Sequence, residues 1–404
     1  MTEKVIEKQS ASKLQYVDCL RGIAILMVII THADKYILNL QRPVHALADY
    51  GQMGVQLFFI VSAFTLCLTF ERRGSEENSL AKFYTRRYFR IAPLYYFGIL
   101  LYLLYFSVVE PLANGAYPEL ASKYTWKNIA ANILLVNDFT PGPANNKIVP
   151  GGWSIGTETT FYLLFPFIFL VYKRFSSSKK ALWMIPLAGL AGCYLLVQAV
   201  MALTGLNIHN NSLLYFNIIC QLPVFLMGIS IYFYINRTGS TYKPKPTIYL
   251  LGFVIATIAA IGLHAISTQN FFFVPTAAGI SFLFLFMYLR HSSTLNFNWL
   301  TRIGQLSYSI YLFHFIFAWL GSKFLYAAFG EVVMAEIIFA VNILLTIVLS
   351  MVVAVFSERY IEKPGIEWGK RVIERMGAKK ERTFAKSAPK VIISNNIKSN
   401  LEMN

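Results

Sequence analysis

Arg21 and His32 stand 11 residues apart in the apolar stretch DCLRGIAILMVIITHAD. At 100° per residue that spacing returns to within about 20° of one helix face, with a separation of about 16 Å along the axis. An apolar helix beginning at Arg21 would carry His32 to about mid-membrane, where an ionisable side chain must face protein or water and marks a candidate site. An imidazole at that depth can accept a proton, and it serves equally well as a hydrogen bond between helices. A second constellation lies in GGWSIGTETTFYLLF, where Ser154, Glu158 and Tyr162 recur at four-residue steps on one face. A buried Glu158 needs a partner, and a Glu158–His32 pair is the simplest expectation. Arg86, Arg87 and Arg90 open another helix in FYTRRYFRIAPLYY. Guanidiniums at a helix N-terminus suit phosphate, although arginines there also serve simply to orient a span. His314, midway along LSYSIYLFHF, reads first as an interhelical hydrogen bond and second as chemistry.

The elements that must hold these residues are membrane helices. The chain has 404 residues, 56% hydrophobic and 14% charged, a balance far from that of soluble domains. Apolar runs of about 20 residues fall near 20–40, 52–70, 91–109, 153–172, 181–204, 213–235, 247–265, 271–289, 303–326 and 334–357. The expected fold is therefore an all-α, polytopic transmembrane bundle of about ten spans. If the N-terminus is cytoplasmic, 30 of the 36 Lys and Arg lie in or beside inner segments and 6 lie outside. Such a partition follows the positive-inside rule and places both termini in the cytoplasm. The net charge of +16 thus follows the membrane loops, and no nucleic-acid partner is implied. Four scattered cysteines have no metal-ligand spacing, so no metal site is expected.

Three segments follow: a cytoplasmic stretch at 1–15, a membrane domain at 16–364 and a basic tail at 365–404, partly disordered. The start of the tail could lie as an amphipathic helix on the anionic inner leaflet. The longest outer connection, 110–150, contains Tyr117, Tyr124, Trp126, Asn137 and Asn145, a mixture suited to sugar rings. Gly51 and Gly54, with Ser62 eight residues beyond Gly54, read as small residues for close helix packing.

Taken together, LRGIAILMVIITH, GQMGVQLFFIVSAF, FYTRRYFRIAPLYY, WSIGTETTFYLLFP, LSYSIYLFH and RYIEKP, in order over 16–364, resemble the acyltransferase-3 family of integral membrane acyltransferases. Two positions depart from the pattern: Ala63 replaces a usual Gly, and Cys19 a usual Gly or Ala. The resemblance implies an O-acyltransferase of a bacterial-type inner membrane, moving acyl, acetyl foremost, from cytoplasmic acyl-CoA to a hydroxyl of a sugar, surface polysaccharide or lipid-linked glycan. It implies catalysis by His32 and Glu158, and acyl-CoA binding by Arg21, Arg86, Arg87 and Arg90. Trp153, Ser154, Tyr162 and His314 would support these or face the acceptor. Acyl-CoA, acetyl-CoA first, enters as co-substrate, with no tightly bound cofactor. Direct attack assisted by His32 and transient acylation of His32 are both compatible with the sequence. A flippase for a lipid-linked glycan is the alternative, although the halves show none of the symmetry that transporters display.

Overall fold

A computed structural model describes residues 2–114, 123–139, 148–206, 212–238, 245–266, 271–292 and 297–387. Tyr117, Asn145 and the tail beyond 387 lie outside the described residues. Among those described there is no strand, and every expected apolar run is wholly or largely helical. The chain forms α1 (Thr2–His32), the short α2 (Arg42–Tyr50), α3 (Gly54–Arg72) and α4 (Ser79–Leu104). After α5 (Trp126–Ile133) come α6 (Gly152–Phe175), α7 (Lys179–Thr204), α8 (Ile218–Thr238), α9 (Pro246–Ile266) and α10 (Val274–His291). The last four are α11 (Asn298–Gln305), α12 (Ser307–Phe329), α13 (Ala335–Ser357) and α14 (Lys363–Ser387).

The protein is an integral membrane helical bundle. Nine of the described helices are long and apolar enough to cross a membrane. The run expected at 271–289 is α10, which has only 18 residues and ends on Arg290 and His291. The first helix also differs from expectation. It starts at Thr2 rather than at Arg21 and ends at His32, so His32 occupies its last turn and not the middle of a span.

α1 is the central post, packed against α3, α11 and α12. Close approach there depends on absent side chains. A Cβ at Gly54 would overlap the Ala24 carbonyl, and one at Gly51 the Met27 carbonyl, as the spacing of small residues anticipates. Ala63 is fully buried opposite Gly228 of α8, where a Cβ added to Gly228 would lie 2.8 Å from its own, so the departure at 63 still meets a small neighbour. Buried polar groups tie spans together: Tyr102 Oη donates to the Leu312 carbonyl at 2.7 Å, and Asn342 Nδ2 to those of Ala33 and Ala318 at 2.7 and 3.0 Å. α7 and α9 are peripheral, with exposed Leu187, Leu195, Ile248, Leu251, Ile255 and Ile258 as the apolar face that lipid would cover. All four cysteines are buried and free of disulfides.

The described part of the C-terminal segment continues the last span. α13 runs through a π-turn at Glu358–Glu362 into α14, so the boundary drawn at 364 falls within continuous helix. α14 packs on α4, with Gly365 against Pro93 and Gly369 against Phe89.

Candidate active site

Three cavities follow one another along the bundle. The first, of roughly 520 Å³, opens where α14 meets α4 and is lined by Arg73, Arg86, Arg87, Arg90 and Lys370. The second, roughly 100 Å³, holds Arg21, Ser62, Ser154, Glu158, Tyr162 and Tyr308, and shares Arg87 and Arg90 with the first. The third, roughly 130 Å³, holds His32, Gln52, Gln56, Trp153 and Phe315, and shares Val55 and Tyr311 with the second. Arg21 and His32, near opposite ends of the transmembrane part of α1, therefore serve different chambers about 16 Å apart along the helix.

In the first chamber the arginines are not equivalent. Arg86 forms an ion pair with Glu76, on the connection between α3 and α4, and its hydrogen bond holds that carboxyl below its usual range. Arg87 Nη2 donates to Thr69 Oγ1 at 2.9 Å, while its buried Nε has no hydrogen-bond partner. Arg90 is exposed at the mouth. An unsatisfied guanidinium donor beside the exposed Arg90 is the arrangement a phosphate or another anion would complete.

The middle chamber gathers Ser154, Glu158 and Tyr162 on one face of α6, as their spacing anticipates. Glu158 is not paired with His32. Its carboxylate accepts hydrogen bonds from Ser62 and from Tyr162 Oη, the latter at 2.6 Å, in the chamber that also holds Arg21. Arg21, for which the resemblance implies a part in acyl-CoA binding, reaches Asp18 Oδ1 and Thr65 Oγ1, both at 3.4 Å, in the middle chamber rather than in the arginine cavity. The expected Glu158–His32 pair does not form, because the start of α6 does not say how far α6 is offset along α1. Ser154 Oγ lies 2.7 Å from Tyr311 Oη, and both hydroxyls reach the Gly151 carbonyl, at 2.9 and 3.0 Å. Gly151 has φ +72°, and a Cβ there would crowd Tyr311 and Phe315, so only glycine suits this entry to α6.

In the third chamber the His32 ring lies 4.4 Å from that of Phe315 and 5.5 Å from that of His314, centroid to centroid. Trp153 packs against Phe216 at 4.5 Å and forms an aromatic wall of the same chamber. In the connection at 110–150, Trp126 is largely exposed, whereas Asn137 and Asp138 are buried against α6. Asp138, outside the spans, accepts from Thr160 Oγ1 at 3.2 and 3.3 Å, and burial pushes its carboxyl up to about 7 against that hydrogen bond. Sequence reasoning overlooked Tyr308, Tyr311 and Lys370. The tyrosines could have been found, since Tyr308, Tyr311 and His314 repeat at three-residue steps. Lys370 carried no signal beyond charge. Among the described residues no group of three or more His, Cys, Asp or Glu comes together as a metal site.

Residues 14–357 match the acyltransferase domain that defines the family suggested by the sequence motifs. The chain belongs to the acyltransferase-3 family. It is similar to the O-acetyltransferase OatA of Staphylococcus aureus, with 26% identity over 90% of this chain and 60% of that protein. It also resembles the peptidoglycan O-acetyltransferase OatA of Listeria monocytogenes, 25% identical over 86% of this chain and 55% of the relative. The acyltransferase MdmB of Streptomyces mycarofaciens is 26% identical over 66% and 68% of the two chains. The chain thus spans only about 60% of the length of the first of these relatives. No solved structure matches.

Proposed function

We propose that this protein is a membrane O-acyltransferase that takes an acyl group, acetyl foremost, from cytoplasmic acyl-CoA and delivers it to a hydroxyl of a surface glycan. The observation that carries the reading is the row of chambers, with an arginine cavity at one end and His32 at the other, joined through walls that Arg87, Arg90 and Tyr311 share. CoA phosphates would bind at Arg87 and Arg90, and the pantetheine arm would extend past Arg21 and Glu158 towards His32. The acceptor would enter beside Trp153, whose ring suits stacking on a pyranose. His32 takes the hydroxyl proton as the oxygen attacks the thioester carbonyl. The carbon–sulfur bond then breaks, and the proton passes to the departing CoA thiolate. The relatives named for O-acetylation, one of them of peptidoglycan, support a cell-wall glycan as acceptor. Both termini would face the cytoplasm, a reading that the partition of basic residues supports, and the membrane would be a bacterial plasma membrane, as in the relatives' organisms.

The test is release of free CoA from acyl-CoA by purified protein supplied with a glycan acceptor, comparing wild type with His32→Ala. His32→Ala should lower turnover at least about a hundredfold and leave donor affinity nearly unchanged, because the imidazole acts mainly in the transition state. Turnover at the wild-type rate by folded His32→Ala would refute the assignment. A flippase would release no CoA at all.

A further inference from the structure

Glu158 is engaged elsewhere, so the orientation of His32 needs another source. His314, on α12, is fully buried. Its Nδ1 lies 2.7 Å from the carbonyl oxygen of Tyr311 and 3.2 Å from that of Ile310. A carbonyl only accepts, so Nδ1 carries the hydrogen, and in the neutral ring Nε2 must bear the lone pair. That Nε2 is buried without a hydrogen-bond partner. A buried acceptor in this state is uncommon and calls for an explanation.

Three rings surround His314: Phe315 at 4.0 Å, His32 at 5.5 Å and Tyr311 at 5.7 Å. Phe315 has no donor. The Tyr311 hydroxyl is already held between Ser154 and the Gly151 carbonyl. Only His32 offers a free N–H. A straight N–H···N bond places two imidazole centroids roughly 5 Å apart, so a small ring movement closes the present gap. Phe315, packed on both rings, limits the other rotations open to them.

We propose that His314 is the positioning residue for His32, and this rests on the reading of His32 as the base. The Nε2 lone pair of His314 accepts the N–H of one His32 nitrogen. That contact selects the tautomer whose other nitrogen presents its lone pair to the acceptor hydroxyl in the third chamber. When His32 takes the hydroxyl proton, the same contact becomes a charge-assisted hydrogen bond to imidazolium, made without placing a second charge in the membrane. The part that a carboxylate plays in a Ser-His-Asp triad is here taken by a neutral ring whose tautomer its own helix backbone dictates.

Two substitutions separate positioning from packing. His314→Phe fills the site with an apolar ring, whereas His314→Gln keeps an acceptor near Nε2 but is the worse fit to apolar surroundings. With both proteins shown to be folded, His314→Phe should lose at least about a hundredfold in kcat with donor KM within about twofold of wild type. His314→Gln should turn over at least about tenfold faster than His314→Phe. A packing role gives the reverse order, and that order, or equal losses, overturns the proposal. His32→Ala measured alongside keeps the two readings apart. Wild-type turnover there refutes the base, whereas an inactive His32→Ala beside a fully active His314→Phe refutes only the role of His314. Should His314→Phe fail to fold, ring-nitrogen NMR of wild-type protein labelled with 15N-histidine decides. Nε2 of His314 seen as a hydrogen-bond acceptor supports the proposal, and a protonated Nε2 overturns it.

Discussion

Replacing Arg87 by methionine keeps the length of the side chain and removes its charge, and the geometry around this arginine sets the size of the expected effect. Its guanidinium donates to the neutral Thr69 at 2.9 Å, lies 5.6 Å from the Tyr162 ring, and has a buried Nε without a hydrogen-bond partner. In the absence of donor little is lost on substitution, while a bound phosphate gains a charge-assisted hydrogen bond of about 1.5–3 kcal/mol. Donor affinity should therefore fall by roughly 10- to 150-fold, with less difference at high salt, and Arg87→Lys should recover only part of it. Arg86 supplies the contrast. Its charge is already balanced by Glu76, so the double change Arg86→Met with Glu76→Gln should alter affinity by less than about threefold. Equilibrium binding of CoA and acetyl-CoA to purified protein measures both effects directly, without the ambiguity of KM. Folded Arg87→Met that binds CoA within twofold of wild type would refute the anchor.

Glu158 and Asp138 lead to different measurements. Glu158→Gln removes the carboxylate that accepts from Ser62 and Tyr162 in the chamber holding Arg21, and turnover should fall by roughly a hundredfold. Near-normal turnover of the folded variant would leave Glu158 a purely structural role. Asp138 affects stability through pH. Its folded value is raised, so its contribution is complete below the unfolded value of 3.8 and is lost as pH rises to about 7. Wild type should therefore melt at a lower temperature at pH 8 than at pH 5, and Asp138→Asn should narrow that difference; an unchanged difference in thermal melts would show that Asp138 ionises freely.

The helical character of this protein, and nearly every span, is written in residue types, because about 20 apolar residues in a row have few ways to satisfy their backbone except as a membrane helix. The face shared by Ser154, Glu158 and Tyr162 was legible for a similar reason, since helical periodicity depends on one element alone. Close packing at Gly51 and Gly54 was equally local in origin. Contacts between elements were not. Spacing reports the angle around a helix and the rise along it, but not how one helix is shifted against another. That shift decided that Glu158 meets Ser62 and Tyr162 rather than His32. The end of α1 at His32 placed that residue in its last turn, and the unbroken run of α13 into α14 brought Lys370 to the arginine cavity. The partner of His32 was hidden most deeply, since α12 carries His314 to it from 282 residues further along the chain. No local pattern holds such a contact, because only the packing of α1 against α12 creates it.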